Sequence, residues 1–415
     1  MTIAPGADVL SAAGGHARPE SKAEAVEVAV AVHAVNQARE VARVLDAAAA
    51  GLESRWAGRA AVLAADGGSQ DATAEVLRRW CESAPAPVRR RVIDAGAPAS
   101  RGRAVLALLD AAQSLGARAV ALVDADLTGF RAEWVGALVG PVLRGEAEYV
   151  SPAYDRAISE GTLTVNLLAP LTGALYGARL QQVMGGCAGL AGRLPGEWIA
   201  AAAHAADWQP HGAELWLTTA ALAGRVRLAE VALGRKIATA AAPTPDLATT
   251  LARTVGPLFA LMEPYQAAWQ ESTDAPPVQR SGPGPAVLAD GAAGASVEQM
   301  VRAFDIGLKD LLPVWEQIMA EPTLARLYPL ALSPDEFRFP PALWARVVAD
   351  FAVAHHERRL PREHLLRSLT PLYLGRVAGF IREARGASPA GVAAIVESID
   401  RAFEEEKDYL VARWR

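Results

Sequence analysis

This chain of 415 residues has few cysteines and a small net charge. Its two cysteines, Cys81 and Cys187, are too few for a disulfide framework, and no Cys/His cluster indicates structural zinc. Lys and Arg number 41 against 46 Asp and Glu, which gives a net charge of -5 without a long basic block. Because nucleic acid and anionic lipid require concentrated Lys and Arg, we expect no nucleic-acid partner.

Long apolar runs are also missing, although 52% of the residues are hydrophobic. Charge or proline interrupts every apolar stretch well before the ~20 residues of a membrane span. Residues 1–22 lack the basic head and apolar core of a signal peptide, and their small residues predict a mobile tail. The sequence therefore predicts a cytoplasmic protein with a large core and no membrane span.

Strand and helix patterns alternate along the first third of the chain. Short runs rich in Val, Ala and Leu predict strands at 26–33, 59–65, 88–94 and 117–123. Helical spacing predicts helices between them, the first capped by Asn36 and closed by Gly51. This alternation predicts an α/β fold with a doubly wound, mostly parallel sheet, whose ligands bind at the carboxyl ends of the strands.

The fourth predicted strand ends in two carboxylates, Asp124 and Asp126. Carboxylate oxygens suit hard cations such as Mg²⁺ or Mn²⁺, and two of them just past a buried strand can converge on a cation and a sugar hydroxyl. The alternative is an ordinary polar strand end. The position favours a functional site, because the other strands of the predicted sheet end in polar loops at the same edge.

Nine short blocks follow one another along the chain in a recognisable order: Val32-His33-Ala34-Val35-Asn36, Asp66-Gly67-Gly68-Ser69, Arg101-Gly102-Arg103, Asp124-Ala125-Asp126, Tyr154-Asp155-Arg156, Gly161-Thr162-Leu163-Thr164, Gly185-Gly186, His211-Gly212-Ala213-Glu214 and Pro371-Leu372-Tyr373-Leu374-Gly375-Arg376. This ordered series resembles the GT-A nucleotide-sugar glycosyltransferases. Among these, the chain looks most like the retaining enzymes of the mannosylglycerate synthase and glucosyl-3-phosphoglycerate synthase type, including bacterial relatives with a helical tail.

The resemblance implies roles for individual residues. For the nucleotide of the donor it implies Ala34, Asn36, Asp66, Arg103 and Asp124. For the acceptor side it implies Gly161, Thr162, Thr164 and His211, with Glu214 contacting the sugar or the acceptor. It also implies that Asp126 binds a Mg²⁺ or Mn²⁺ ion that bridges the donor diphosphate.

Structural alternatives stand beside these roles. Asn36 is a good helix cap with or without a nucleotide, and Thr162 and Thr164 suit a surface strand. Glu214 falls in the first turn of a predicted helix, where the helix dipole favours an acidic side chain.

Several positions depart from the family pattern, among them His33, which stands where relatives often have proline, and two positions at which a functional residue is expected. Cys187 follows the Gly185-Gly186 turn, where relatives usually carry an acidic residue, and Ala238 stands where they place a metal-binding histidine. A metal site without that histidine is expected to be weaker. Arg235 or Lys236 can instead supply fixed positive charge to the diphosphate.

The rest of the chain, residues 245–415, predicts an α-helical region. Apolar residues recur every three or four positions in several segments. Residues 271–295 are rich in Pro, Gly, Ser and Ala, which predicts a flexible loop. The composition changes near Thr244, so we predict a GT-A catalytic domain at 23–244 followed by this helical region.

The sequence therefore predicts a glycosyltransferase that moves a hexose from a GDP-mannose or UDP-glucose type donor to a small hydroxylated acceptor, such as a glycerate-like hydroxy acid. The resemblance implies retention of configuration and metal assistance, with Asp126, Glu214, Arg235 and Lys236 in catalysis. A homo-oligomer is compatible with this prediction.

Two alternatives stay open. A GT-A homologue with impaired catalysis could bind a nucleotide, a sugar or a partner protein, as the residues at 187 and 238 suggest. A sugar-phosphate nucleotidyltransferase is disfavoured, because the first loop contains no glycine for a phosphate-binding turn.

Overall fold

The computed structural model describes residues 25–83, 87–202, 212–238, 246–271, 277–282, 284, 286–288, 296–332 and 336–414. The predicted tail at 1–22, the boundary near Thr244 and the candidate residue His211 lie outside these ranges. The described strands are β1 (Val28–Ala34), β2 (Ala60–Asp66), β3 (Arg89–Val92), β4 (Ala119–Asp124), β5 (Tyr149–Ala157), β6 (Cys187–Ala191), β7 (Leu228–Arg235), β8 (Gln279–Ser281) and β9 (Val287–Leu288).

Helices flank the sheet and make up the C-terminal region. The described helices are α1 (Val41–Trp56), α2 (Thr73–Glu82), α3 (Arg101–Ser114), α4 (Ala132–Leu143), α5 (Ala169–Tyr176), α6 (Leu194–Ala202), α7 (Ala213–Ala223), α8 (Leu247–Met262), α9 (Gln266–Gln270), α10 (Val297–Asp310), α11 (Leu312–Ile318), α12 (Glu321–Ala325), α13 (Tyr328–Leu332), α14 (Pro341–His356), α15 (Arg362–Ser368), α16 (Thr370–Ala384), α17 (Pro389–Glu405) and α18 (Lys407–Arg413). A π-helical segment, Thr164–Leu168, precedes α5. None of the helices in these ranges has the length and apolar character needed to cross a membrane.

The strands form one mixed sheet in the order β3-β2-β1-β4-β6-β5-β7-β8, and β9 pairs with the end of β5. The first four strands are parallel, as their alternation with helices predicts. Strand β6 runs antiparallel between β4 and β5. The α/β prediction with a mostly parallel sheet and a helical C-terminal region is confirmed, while β6 was not foreseen from its five residues.

Two strands lie inside the segment predicted to be a flexible loop. Strand β8 pairs in parallel with β7, and β9 pairs in parallel with β5. The Arg280 side chain on β8 also donates to the buried carboxylate of Glu230 at 2.9 Å. Residues 279–281 and 287–288 therefore form strands that their short runs do not reveal in the sequence, and the flexibility of 271–295 stays a prediction.

Gly51 lies inside α1 and does not close it, contrary to the sequence-based expectation. Helix α1 continues to Trp56, and Gly51 lies in its middle, at close range to α4. A Cβ atom at this position would lie 2.7 Å from Cγ2 of Val135 and would also meet the carbonyl oxygen of Ala132. The glycine thus permits the close approach of two helices on one face of the sheet.

The C-terminal helices share a hydrophobic cluster with the other face of the sheet. That cluster includes Ala29 of β1, Leu108 of α3 and Leu171 of α5, and it continues to Trp344 and Trp414 in the helical region. Both tryptophans are almost fully buried, as predicted for core residues. The helical region therefore covers the sheet and forms part of its core.

Candidate active site

The candidate site lies where β1, β2 and β4 end side by side. In the parallel register, Ala34 pairs with Asp66 across one neighbouring strand, and His33 pairs with Asp124 across the other. This edge is the one at which a doubly wound sheet binds its ligands. Because these strands end in register, the polar residues at their carboxyl ends lie at a common edge of the sheet.

Asp124 is buried at the end of β4 and is held from several directions. Its Oδ2 accepts a hydrogen bond from Nη1 of Arg101 at 2.7 Å, and its Oδ1 accepts one from the backbone N–H of Asp126 at 3.1 Å. Burial opposes its ionisation, but the charge of His33, which is present only when the imidazole is protonated in acid, and the permanent charge of Arg101 outweigh this effect and lower the pKa of Asp124. Asp124 is therefore a fixed anion that orients its neighbours.

Asp126 is half-buried beside that anion. Burial raises the pKa of Asp126 to about 7, and the negative charge of Asp124 adds to the rise while Arg101 opposes it. A carboxyl group with a raised pKa in a polar cleft is typical of a functional position.

A third carboxylate reaches the same place from α7. Glu214 lies in the first turn of that helix, as predicted, and its Oε1 accepts a hydrogen bond from the N–H of Gly186 at 2.8 Å. The carbonyl oxygen of Gly186 in turn accepts from the N–H of Asp124 at 2.8 Å. Burial raises the pKa of Glu214, with Lys236 opposing the rise. The glycine turn thus links Glu214 to Asp124.

Lys236 brings positive charge to the group. Its Nζ lies 3.6 Å from the point that a Cβ of Gly186 would occupy, and 5.9 Å from the ring centroid of Tyr154. Its charge favours ionisation of Asp124, Asp126 and Glu214, although burial is the largest influence on the pKa of each. The predicted residues Asp124, Asp126, Glu214 and Lys236 therefore come together.

Arg101, which was not assigned a role from the sequence, reaches the acidic pair, while the nucleotide role of Arg103 stays a prediction. Arg101 begins α3 and pairs with Asp124, whereas Nε of Arg103 donates to the carbonyl oxygen of Ala95 at 3.1 Å. Ser100 caps α3 by accepting from the N–H of Arg103 at 3.3 Å. Side chains two positions apart on a helix point in different directions, so Arg101 faces the end of β4 while Arg103 faces the loop that follows β3.

His33 is buried on β1, next to Asp124 of β4. In the sequence it stood out only as a departure from the family pattern. Its Nδ1 lies 3.9 Å from Oδ2 of Asp124 and has no hydrogen-bond partner among the described residues. Burial lowers the pKa of His33 to about 4, against the opposing effect of Asp124. At neutral pH, His33 is therefore an uncharged group behind the acidic pair.

The first two loops are tied to each other. The N–H of Asn36 donates to Oγ of Ser69 at 2.8 Å, and Oδ1 of Asn36 accepts from the N–H of Gln70 at 2.7 Å. Asn36 has a φ of 56° and lies outside α1, so it does not cap that helix as predicted. The side-chain amide thus bridges two loops at the site edge.

The predicted nucleotide residues Asp66 and Ala34 have structural contacts. Oδ2 of Asp66 accepts from the N–H groups of Gly68 and Ser69 at 3.1 and 3.0 Å. Ala34 is fully buried, and its carbonyl oxygen accepts from the N–H of Gly67 at 2.8 Å. Both residues shape the turn that borders the cleft, and their roles toward a nucleotide stay predictions.

The predicted acceptor loop leaves β5 and packs against the C-terminal helices. Gly161 has a φ of 63°, and a Cβ there would meet the guanidinium of Arg156. The hydroxyl of Thr162 lies 2.8 Å from that of Tyr373 in α16, and Thr164 is buried in the π-helical segment. Tyr373 completes this loop from far along the chain, which the sequence alone did not reveal.

Arg235, proposed from sequence as a catalytic cation, faces away from the acidic group. Its Nη2 pairs with Oε1 of Glu160 at 3.1 Å, and both side chains are largely exposed. Of the two adjacent cations at the end of β7, the structure therefore brings only Lys236 to the carboxylates.

Cys187 follows the glycine turn and is buried at the start of β6. Its Sγ lies 3.3 Å from the hydroxyl of Tyr154, and burial raises the pKa of the thiol to about 12. The protonated thiol fits the prediction of a small buried residue and excludes a thiolate nucleophile at neutral pH.

Comparison with known families agrees with this geometry. Residues 29–193 match the family model described as Glycosyl transferase family 2. The match covers β1 to β6, including Asp124 and Asp126, and it confirms the predicted resemblance to GT-A glycosyltransferases for this part of the chain. Among curated proteins, none matches the sequence.

Several solved structures are similar to the chain. A glucosyl-3-phosphoglycerate synthase from Mycobacterium tuberculosis in complex with Mn²⁺, UDP and phosphoglyceric acid has 20% sequence identity and a TM-score of 0.44, over 60% of this chain and 80% of that one. The same enzyme in complex with Mg²⁺ and UDP has 20% identity and a TM-score of 0.44, over 58% and 80%. In complex with UDP it has 19% identity and a TM-score of 0.43, over 58% and 80%.

The residues around Asp126 do not fit the divalent cation that the family resemblance implies. The described ranges contain no group of three or more His, Cys, Asp or Glu side chains arranged to hold a metal ion. Asp124 is already engaged by Arg101, and Glu214 by the N–H of Gly186. The nearby ammonium of Lys236 and guanidinium of Arg101 offset part of the negative charge of the carboxylates and so weaken their attraction for a cation.

Proposed function

We propose that this protein is a glycosyltransferase that moves a hexose from a nucleoside diphosphate sugar to a small hydroxylated acceptor. The observation that supports this most is the meeting of Asp124, Asp126 and Glu214 with Arg101 and Lys236 at the carboxyl ends of the sheet. Such a site offers cations to a diphosphate and acidic groups to sugar hydroxyls. The glycosyl transferase family 2 match over the same strands supports the same donor class.

The charge distribution supports departure of the diphosphate from the sugar. In the proposed reaction the bond between C1 of the hexose and the phosphate oxygen breaks, and its electron pair stays on the diphosphate. The acceptor hydroxyl oxygen bonds to C1, and its proton passes to the departing phosphate oxygen. Positive groups near the β-phosphate favour this step, because negative charge grows there in the transition state.

The family resemblance narrows the chemical class of the donor and of the acceptor in this proposal. The donor is of the UDP-glucose or GDP-mannose type, and the acceptor is a small hydroxy acid such as a glycerate derivative. Gly161, Thr162 and Thr164 would form the acceptor side, where Arg156 packs against Gly161. Front-face transfer with retention of the anomeric configuration is part of this proposal.

The test is transfer from labelled donors. We expect the full chain to release UDP or GDP from UDP-glucose or GDP-mannose in the presence of a glycerate-type acceptor. Asp126→Asn should lower kcat by about 10²-fold, because the half-buried carboxyl borders the reacting groups. Asp110→Asn is the matched control, since Asp110 is exposed on α3. The anomer of the product, measured by NMR, tests retention.

The outcomes separate the alternatives. Nucleotide binding without transfer or hydrolysis for any donor would favour the non-catalytic nucleotide-binding or sugar-binding homologue. Unchanged activity of Asp126→Asn would overturn the assignment of the acidic pair. Failure to bind either nucleotide would overturn the glycosyltransferase proposal.

A further inference from the structure

The segment after β7 is docked against the loop that follows Asp126. The carbonyl oxygen of Ile237 accepts from the N–H of Gly129 at 2.8 Å and lies 3.4 Å from Oγ1 of Thr128. A Cβ at Gly129 would lie 2.9 Å from Cβ of Ile237, so only glycine allows this approach without a shift. The backbone next to Lys236 is thereby fixed opposite the acidic pair.

The side chain of Lys236 uses that position to reach the glycine turn. Its Nζ lies beside Gly186, the residue whose N–H holds Glu214 and whose carbonyl oxygen holds the N–H of Asp124. The lysine therefore lies beside the turn that links Asp124 of β4 to Glu214 of α7. An ammonium group offers three rotatable donors to any anion that enters the cleft.

Arg101 is a second cation at the same carboxylates, and it comes from the start of α3. It pairs with Asp124 and is also attracted by Asp126 and Glu214. Two fixed cations therefore face three acidic groups. Both cations offset part of the negative charge of these acidic groups, which weakens the attraction of the set for a divalent ion and gives a diphosphate two positive partners.

The segment that carries the lysine supplies no metal ligand. Ala238 is exposed, and its side chain is a methyl group. Residues 235–238 therefore offer cationic and apolar side chains only.

We infer that Lys236, assisted by Arg101, neutralises the donor diphosphate in this protein and so replaces the divalent cation implied by the family resemblance. This inference rests on the proposed function, since it concerns the same nucleotide site. As the bond between C1 and the phosphate oxygen breaks, the electron pair left on the diphosphate is stabilised by the ammonium group. No metal ion is required in this step.

Nucleotide binding tests the inference apart from turnover. UDP and GDP are titrated calorimetrically into the full chain, once in EDTA and once in Mn²⁺. We expect one of them to bind in EDTA, with an affinity that Mn²⁺ changes by less than about threefold. Lys236→Met should weaken binding in EDTA by at least about tenfold, because a charge-assisted hydrogen bond is lost. Lys236→Arg should retain much of the affinity.

Two variants serve as controls. Lys309→Met removes an exposed lysine that pairs with Asp305 on α10, and it should leave nucleotide binding unchanged. The double variant Lys236→Met/Ala238→His removes the ammonium group and restores a ligand, so its nucleotide affinity should become dependent on Mn²⁺. If Lys236→Met fails to fold in a thermal melt, Lys236→Gln takes its place.

Each other outcome is decisive. Nucleotide binding by the unaltered chain that requires Mn²⁺ would overturn the inference and leave the proposed function standing. Equal affinity of Lys236→Met and the unaltered chain in EDTA would also overturn it. Absence of UDP and GDP binding in both buffers would overturn the inference together with the proposed function.

Discussion

At the scale of single residues, the site is a set of charges that constrain one another. Asp124 pairs with Arg101 and lies 3.9 Å from Nδ1 of His33. Burial and the charges of Asp124 and Glu214 raise the pKa of the neighbouring Asp126 to about 7. Removing one member changes the ionisation of the others, because buried charges interact strongly. The lowered pKa of His33 can be tested separately, through the pH dependence of the free energy of unfolding.

His33 should make the fold sensitive to acid. Burial lowers its pKa to about 4, whereas the unfolded chain titrates near the ordinary 6.5. Between these values the unfolded state binds a proton that the folded state does not, so the free energy of unfolding should fall as the pH drops, by up to about 3 kcal/mol. Above pH 6.5 this contribution is constant.

Urea unfolding from pH 4 to 7 measures the effect. His33→Gln should flatten the pH dependence over this range, and His364→Gln should not, since His364 is exposed on α15. An identical slope in His33→Gln and the unaltered chain would contradict the assignment.

Residue types at the site were partly predictable from sequence. The pair Asp124 and Asp126 was found because two carboxylates directly follow a buried strand. Arg101 was passed over in favour of Arg103, since a motif in sequence does not say which side of a helix faces the cleft. The cap at Ser100 is the signal that could have decided it, because it sets the helix start at Arg101.

At the scale of elements, close approach between helices and strands determines where glycine is required. Gly51 was expected to end α1, yet it allows α4 to pack against the middle of that helix. A glycine in a sequence has the same appearance in either role, and only the partner helix distinguishes them. The same limit applies to β6, whose antiparallel pairing depends on strands distant in sequence.

Gly51→Ala should destabilise the protein although alanine favours helix. The added methyl group would lie 2.7 Å from Cγ2 of Val135, and overpacking of this kind costs about 1–3 kcal/mol, against a propensity gain of about 1 kcal/mol. We expect a net loss in the free energy of unfolding, measured with denaturant.

Gly140→Ala, in α4, is the matched control for this substitution. Its added methyl group meets the movable end of the Arg144 side chain at 3.0 Å, so stability should stay equal or rise by up to about 1 kcal/mol. Equal effects of the two substitutions would contradict the packing argument.

At the scale of the whole molecule, a buried polar network joins the acceptor loop to the C-terminal helices. Oδ1 of Asn166 accepts from Nε of Arg376 at 3.0 Å, and its Nδ2 donates to the carbonyl oxygen of Thr162 at 3.0 Å. Nη1 of Arg376 donates to the carbonyl oxygen of Phe339 at 2.6 Å. Burial lowers the pKa of Arg376 to about 10, which shows how little solvent reaches this guanidinium.

Asn166→Ala should lower the free energy of unfolding by about 3 kcal/mol, because it leaves the buried guanidinium of Arg376 without one of its acceptors.

Unfolding should remain a single transition by both tryptophan fluorescence and circular dichroism, since one hydrophobic cluster runs from the sheet to Trp414. Arg179→Ala, at an exposed pair with Glu404, should cost less than about 1 kcal/mol. Two separate transitions in the unaltered chain would contradict this account.

The bond between Thr162 and Tyr373 also affects the order in which the protein becomes competent during synthesis. The two hydroxyl groups are separated by 211 residues of chain, and the contact from Asn166 to Arg376 spans 210. A ribosome finishes the strands that carry the acidic pair long before it makes the helix that braces the acceptor loop. The acceptor side therefore cannot be complete until the last helices have emerged.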